Sequence, residues 1–357
     1  IRDPYTWVTS ESVIPALHSL DPVVLNQTYE TPAMQDIWNT IGYLNQRGIV
    51  GKQIVLNFMG WTPVWLGGSG AFGANSGITA GKEQAFATML ASLVYYGRTV
   101  RGLNFQYYSP FNEQDWDCRE GPCASTAQYN LVMQLLTTEM DGMGLTDMRY
   151  ISPDTASDPV PYIQALSTNA AAFSRTDHLT YHVYGATRSP GTAYAGKNYW
   201  VTETASQCTQ CDTAVDIPTA SEWTFGASST DLVLDDLANG IAGVMIYDAF
   251  DSLYYHHNSI AFWGLLRYDT TTGVYTARKR FYANAQVNRF VPPGAQRVLA
   301  TDTIATLNHT VAFYHTANNR LTLIGHNTGA AAITVNGQLN GMATPPTSLK
   351  DRKSTRL

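Results

Sequence analysis

Apolar residues recur three and four positions apart in six stretches of the chain, and each predicts a helix with one buried face. The stretches are 33–47 (Met34, Ile37, Trp38, Ile41, Leu44), 81–98 (Phe86, Met89, Leu90, Leu93, Val94), 127–141 (Tyr129, Leu131, Val132, Leu135, Leu136), 161–173, 229–239 and 277–289. Between them lie short runs of β-favouring residues, at 53–59, 104–109, 149–152, 178–184, 198–206 and 243–248, which predict strands. Strands alternating with helices at this spacing predict an α/β fold with a parallel sheet. From Val291 the pattern changes. After Pro292-Pro293-Gly294 come short alternating runs at 297–300, 304–307, 311–314, 321–326 and 332–335, with turn signals at Asn318-Asn319 and Asn336-Gly337.

Chemistry gathers where the strands stop. The run Asn104–Trp116 opens as a strand through Phe105, Tyr107 and Tyr108, and Ser109-Pro110 breaks it, because proline has no N–H to give to a ladder. Asn112, Glu113, Asp115 and Trp116 follow directly. A second run, Asn198–Ser206, carries Tyr199, Trp200 and Val201 and then Glu203. The chain has only eight glutamates, and two of them close apolar strands 90 positions apart. A (β/α)₈ barrel uses about 31 residues per repeat, so that separation is close to three repeats and predicts both acids on one rim. Two carboxyls about 5–5.5 Å apart can run a retaining glycosidase.

Asn112-Glu113 after one strand and Glu203 after another, three repeats on, resembles glycoside hydrolase clan A, the retaining (β/α)₈ glycosidases, with families 5, 30 and 39 the nearest in pattern. The resemblance covers roughly residues 50–290. It implies that Glu113 ends the fourth strand as acid/base and Glu203 ends the seventh as nucleophile. It further implies that Asn112 meets the substrate, that His182 and Tyr184 at the end of strand six hydrogen-bond the nucleophile or sugar, and that Trp263, past strand eight, stacks on it. Tyr247 at the end of strand eight, and Trp61, Trp65 and Trp116 in loops on the same rim, complete the expected substrate-binding set, with Tyr254 and Tyr255 behind Trp263.

If Glu113 ends the fourth strand, the run at 53–59 is the third. Only about fifty residues precede it, where two repeats need about 62. The expected fold is therefore an N-terminally truncated (β/α)₈ TIM barrel over 1–290, with Arg2 as the remnant of a second-strand tip. A partial all-β sandwich over 291–349 follows, similar to the side domain of family 30 and 39 enzymes. Residues 350–357 stand outside the fold, since Asp351-Arg-Lys-Ser reads like translated sequencing adapter.

Composition narrows the setting. A net charge of −6 and a pI near 5.7 argue against nucleic acid or an anionic membrane as partner. Charged residues make up only 14%, against 21 tyrosines and 8 tryptophans, which suits a secreted protein, expected as a monomer, that binds a polysaccharide or oligosaccharide. The expected chemistry needs no cofactor and no metal. Four cysteines stand as Cys118-x₄-Cys123 and Cys208-x₂-Cys211, each pair just past a candidate glutamate. Two local disulfides, one four-cysteine zinc site, or free thiols are the alternatives that spacing leaves. The rival to a glycosidase is a carbohydrate-binding barrel without turnover.

Overall fold

The computed structural model describes residues 1, 3–71, 77–116, 118, 120–184, 194–206, 219–251, 263–269 and 271–341. They fall into two compact units, Ile1–His182 with Ala193–Trp200, and Val183–Thr192 with Val201–Leu357.

In the first unit three helices precede the first strand: α1 (Ile14–His18), α2 (Pro22–Tyr29) and α3 (Pro32–Gln46). Asp21 starts α2 by accepting from the N–H groups of Val23 and Val24, with Pro22 in the first turn. Sequence periodicity missed α1 and α2, whose short lengths hold barely one amphipathic repeat. Strand β1 spans Gly51–Asn57, not 53–59. Past its end the backbone turns to the N-terminal residues instead: Met59 N–H donates to the Ile1 carbonyl at 2.8 Å, and Asp3 N–H to the Met59 carbonyl at 3.2 Å.

Helix α4 (Glu83–Tyr95) runs into a π-helical turn, Tyr96–Val100. Gly97 sits in that turn against the rings of Trp38 and Phe105, where an added Cβ would come within 3.0 and 3.1 Å. Strand β2 (Phe105–Ser109) follows, and then α5 (Thr126–Gly142), which starts where Ser125 accepts from Gln128 N–H. Strand β3 spans Arg149–Thr155, three residues beyond the expected end, and α6 (Val160–Ser167) and α7 (Ala170–Arg175) replace the single helix expected over 161–173. The break has a local cause: Asn169 turns its side chain to cap α7, accepting from Ala172 N–H at 3.2 Å. Strands β4 (Thr176–Tyr184) and β5 (Tyr199–Ala205) come next. The core is apolar and aromatic, with Trp38, Phe58, Phe86, Phe105, Tyr108, Phe111 and Tyr129 all buried.

The second unit carries α8 (Thr219–Ala238), longer at its start than the helix expected over 229–239, then β6 (Gly243–Ile246). A small sheet follows, with β7 (Phe250–Asp251) parallel to β8 (Leu266–Asp269) and β8 antiparallel to β9 (Val274–Ala277). After α9 (Lys279–Asn288) come β10 (Gln296–Val298), β11 (Leu307–His315) and β12 (Arg320–Asn327), paired antiparallel in that order. Asn319 makes the turn between β11 and β12 at φ 45°. The runs at 304–307 and 332–335 do not form strands of their own: Leu307 opens β11, and residues 328–341 are irregular. Val311 and Phe313 of β11 share a core with Val233 and Leu234 of α8 and Val287 of α9.

Six strands follow one another in chain order, β1-β2-β3-β4-β5-β6, with helices between β1 and β2, β2 and β3, β3 and β4, and β5 and β6. The first three pairings are parallel, registering Asn57 with Ser109, Tyr108 with Tyr150, and Ser152 with Leu179. This is the βα order of a TIM-type barrel, followed by an all-β region.

Candidate active site

In the first unit the site is built around two Ser-Pro pairs, Ser109-Pro110 at the end of β2 and Ser152-Pro153 inside β3. Proline removes a ladder donor at each place: the chain leaves the sheet at Pro110, whereas β3 continues past Pro153 to Thr155. Glu113 lies four residues past β2 in the left-handed region, φ 49°, and is buried. That conformation is unfavourable for a residue with a Cβ. Two backbone bonds hold it: Glu113 N–H donates to the Asp154 carbonyl and Trp116 N–H to the Glu113 carbonyl, both at 2.9 Å. Asp115 locks the turn from the other side, accepting from the N–H groups of Ala156 and Ser157.

The Glu113 carboxyl meets His182 on β4, Oε1 to Nδ1 at 2.7 Å, and Nε2 of that ring lies 3.4 Å from Asp154 Oδ1. All three side chains are nearly sealed from water, at 6%, 2% and 3% exposure for Glu113, His182 and Asp154. Asp154 is itself supported, its Oδ2 lying 2.8 Å from Asn57 Nδ2 and 2.9 Å from Ser109 Oγ. Buried charge and polarity persist only when partnered, and this network partners them.

Asn112 is buried and donates from Nδ2 to the Glu120 carbonyl at 3.3 Å. The loop beyond is tied by the Cys118–Cys123 disulfide. That bond joins two of the four thiols a shared zinc site would need, so the four-cysteine zinc alternative does not hold; Cys208 and Cys211 lie outside the described residues, as do Arg2, Tyr254 and Tyr255. Gly121 packs so closely on Asn112 that a Cβ there would stand 2.3 Å from the Asn112 carbonyl oxygen. Trp116 is 45% exposed beside Glu113. Trp61 is half-buried, its N–H bonded to Asp3 Oδ1. Trp65 packs against the core and spends its indole N–H on the Val8 carbonyl at 2.8 Å. Its polar edge is thereby committed to the fold.

In the second unit Glu203 is half-buried on β5, two residues inside the strand's end. Aromatic rings gather there: Tyr184 lies 6.4 Å from Tyr247 and 5.9 Å from Trp263, Tyr247 lies 6.3 Å from Trp263, and Phe225 stands edge-on to Trp263 at 5.9 Å. Tyr247 N–H donates to the Thr204 carbonyl, fixing that ring next to the residue after Glu203. Arg280 donates to the Trp263 carbonyl at 2.9 Å and places its guanidinium 4.5 Å above the Phe225 ring. Aromatic side chains clustered in this way can supply stacking surface for the apolar faces of sugars.

Sequence reasoning missed Asp154, Asn57, Ser109 and Gln114, whose Nε2 donates to the Pro153 carbonyl. The signal for Asp154 was present: Ser152-Pro153-Asp154 repeats the Ser-Pro punctuation that drew attention to Glu113.

No protein-family model matches the chain, and no curated protein matches it in sequence. Solved structures do. Xylanase C of glycoside hydrolase family 30 from Talaromyces cellulolyticus is similar over 76% of this chain, at TM-score 0.58 and 19% identity; the chain spans 62% of that catalytic domain. SrfJ from Salmonella typhimurium (TM-score 0.67, 16% identity) is similar over 90% of this chain and 70% of its own. The family 30 subfamily 8 xylanase Xyn30A from Clostridium acetobutylicum (TM-score 0.62, 17% identity) is similar over 90% and 78%. The fold is thus shared with family 30 glycoside hydrolases, as the clan A resemblance implied.

Proposed function

We propose that the chain is the catalytic part of a retaining glycoside hydrolase acting on a β-linked polysaccharide or oligosaccharide of the β-glucan, xylan or galactan type. The observation that carries this reading is Glu113: a carboxyl at the C-terminal end of a parallel strand, buried, held in a left-handed turn and gripped by a histidine. The fold shared with xylanases, and with an endo-β-1,6-glucanase at TM-score 0.63 and 17% identity, supports it. So does the strand order, which sets β2 and β5 three strands apart.

In this reading Glu203 attacks the anomeric carbon while Glu113 protonates the departing oxygen. Glu113 then takes the proton of the water that releases the sugar from Glu203. Asn112 hydrogen-bonds the 2-OH, a contact that strengthens as the ring becomes oxocarbenium-like. Tyr184, Tyr247 and Trp263 form the aromatic wall, and Trp116 supplies an exposed ring near the acid. No cofactor enters the scheme. The Cys118–Cys123 bridge and the aromatic, weakly charged composition fit a secreted enzyme.

Glu113→Gln and Glu203→Gln in the complete protein are expected to lower kcat/KM on the preferred polysaccharide by roughly 10³-fold or more. NMR of the wild-type products is expected to show retained anomeric configuration. Near-normal hydrolysis by either variant overturns the assignment, and binding without turnover by the wild type returns the carbohydrate-binding alternative.

A further inference from the structure

Beyond the two glutamates, Asp154 stands out in the buried polar network. It touches the Glu113 segment and its supports at several points: its carbonyl takes the Glu113 N–H, its Oδ1 lies near His182 Nε2, and its Oδ2 accepts from Asn57 and Ser109. Asp154 holds a left-handed φ of 64° to do so. We propose that Asp154 is a positioning residue of the active site, acting through His182: its carboxylate selects the imidazole tautomer whose Nδ1 lone pair faces Glu113 and keeps the Glu113 proton in place. The proposal rests on Glu113 serving as the acid.

A neutral imidazole has one N–H donor and one lone-pair acceptor. A carboxylate 3.4 Å from Nε2 favours the proton on that nitrogen. Nδ1 is then an acceptor, and its 2.7 Å contact with Glu113 Oε1 requires the hydrogen to come from the glutamic acid. A general acid must hold its proton at the pH where its partner is ionised, and this arrangement supplies that bias by hydrogen bonding. Within its own unit, the ionisable groups placed against His182 among the described residues are Glu113 after β2 and Asp154 on β3.

The chemistry of an amide replacement makes the idea sharp. Asn57 Nδ2 donates to Oδ2, so in Asp154→Asn the new amide turns its oxygen to Asn57 and Ser109 and its NH₂ to His182. Nε2 must then accept, the proton moves to Nδ1, and Nδ1–H donates to Glu113, which stabilises the ionised carboxylate instead of the acid.

Two measurements test this. In the wild-type protein, ¹⁵N NMR of His182 is expected to show a pyridine-type Nδ1 and a pyrrole-type Nε2. The reverse pattern, or two pyrrole-type nitrogens, overturns the proposal without any reference to activity. In Asp154→Asn, the alkaline limb of the kcat/KM profile is expected to move to lower pH. Hydrolysis of oligosaccharides should fall by roughly 10- to 100-fold, while a dinitrophenyl glycoside, whose leaving group needs no proton, should be cleaved nearly as before. An unchanged pH profile, or equal loss on both substrates, overturns it. If the wild type hydrolyses no glycoside while the NMR pattern stands, the glycosidase reading fails and the tautomer assignment survives.

Discussion

Asp236 shows how strongly a single buried side chain can make this protein sensitive to pH. It is fully buried on α8, and neither carboxylate oxygen has a hydrogen-bond partner among the described residues. Burial raises its pKa from 3.8 to about 7, with the neighbouring charge of Asp235 adding to the rise. The folded state therefore keeps a proton that the unfolded chain releases above about pH 4. The stability this gives is full below that pH, declines as the pH climbs, and is gone above pH 7. Three pKa units set a ceiling of about 4 kcal/mol. Asp236→Asn is expected to remove the decline, so that the variant is the more stable protein at pH 8 and close to wild type at pH 4. Thermal unfolding across pH 4–8 measures it.

At the scale of the element, the β2–α5 connection is built to hold its shape. The Cys118–Cys123 bridge closes a short loop, Gly121 lies against Asn112, and the Glu120 carbonyl accepts from the Asn112 amide. Replacing both cysteines by serine should cost about 2 kcal/mol of stability, the loop-closure value for so short a loop, and raise KM more than it lowers kcat. Gly121→Ala should be worse, because its Cβ meets backbone, which cannot swing aside. Chemical unfolding with kinetics on an oligosaccharide separates the two effects. Elements like this were partly legible in the sequence. Three- and four-residue periodicity gave α3, α4 and α5 to within a few residues, and Ser109-Pro110 marked the end of β2. The strand β3 was expected over 149–152, yet it continues through Pro153 to Thr155 and carries Asp154 into the site. The hairpin of β8 and β9 was missed, because the apolar residues of Leu266–Ala277 are few and its turn is made by Asp269 accepting from Thr271 and Thr272. The apolar run at 332–335 was read as a strand, but alternation over four residues says nothing of whether a partner strand exists to pair with it.

For the whole molecule, the pattern of strands and helices was enough to expect a TIM-type fold, while the partnership of Asp154 and His182 was not, since it joins residues 28 positions apart that only the parallel register of β3 and β4 makes neighbours. The C-terminal sheet also carries weight that its sequence does not announce. Val311 and Phe313 cover Val233, Leu234 and Val287, so a chain cut before Gln296 exposes an apolar face on α8 and α9. Burial of side chains of this size contributes about 1.5–3 kcal/mol each. The shortened protein is expected to lose several kcal/mol and to be cleaved within α8 by limited proteolysis, where the longer chain resists.

The bond from Glu113 N–H to the Asp154 carbonyl also constrains any redesign of this fold. The two strand tips form a single transplantable module: moving the β2 tip to another scaffold without the β3 tip would carry the Glu113 carboxyl across and leave behind the peptide group that holds its backbone.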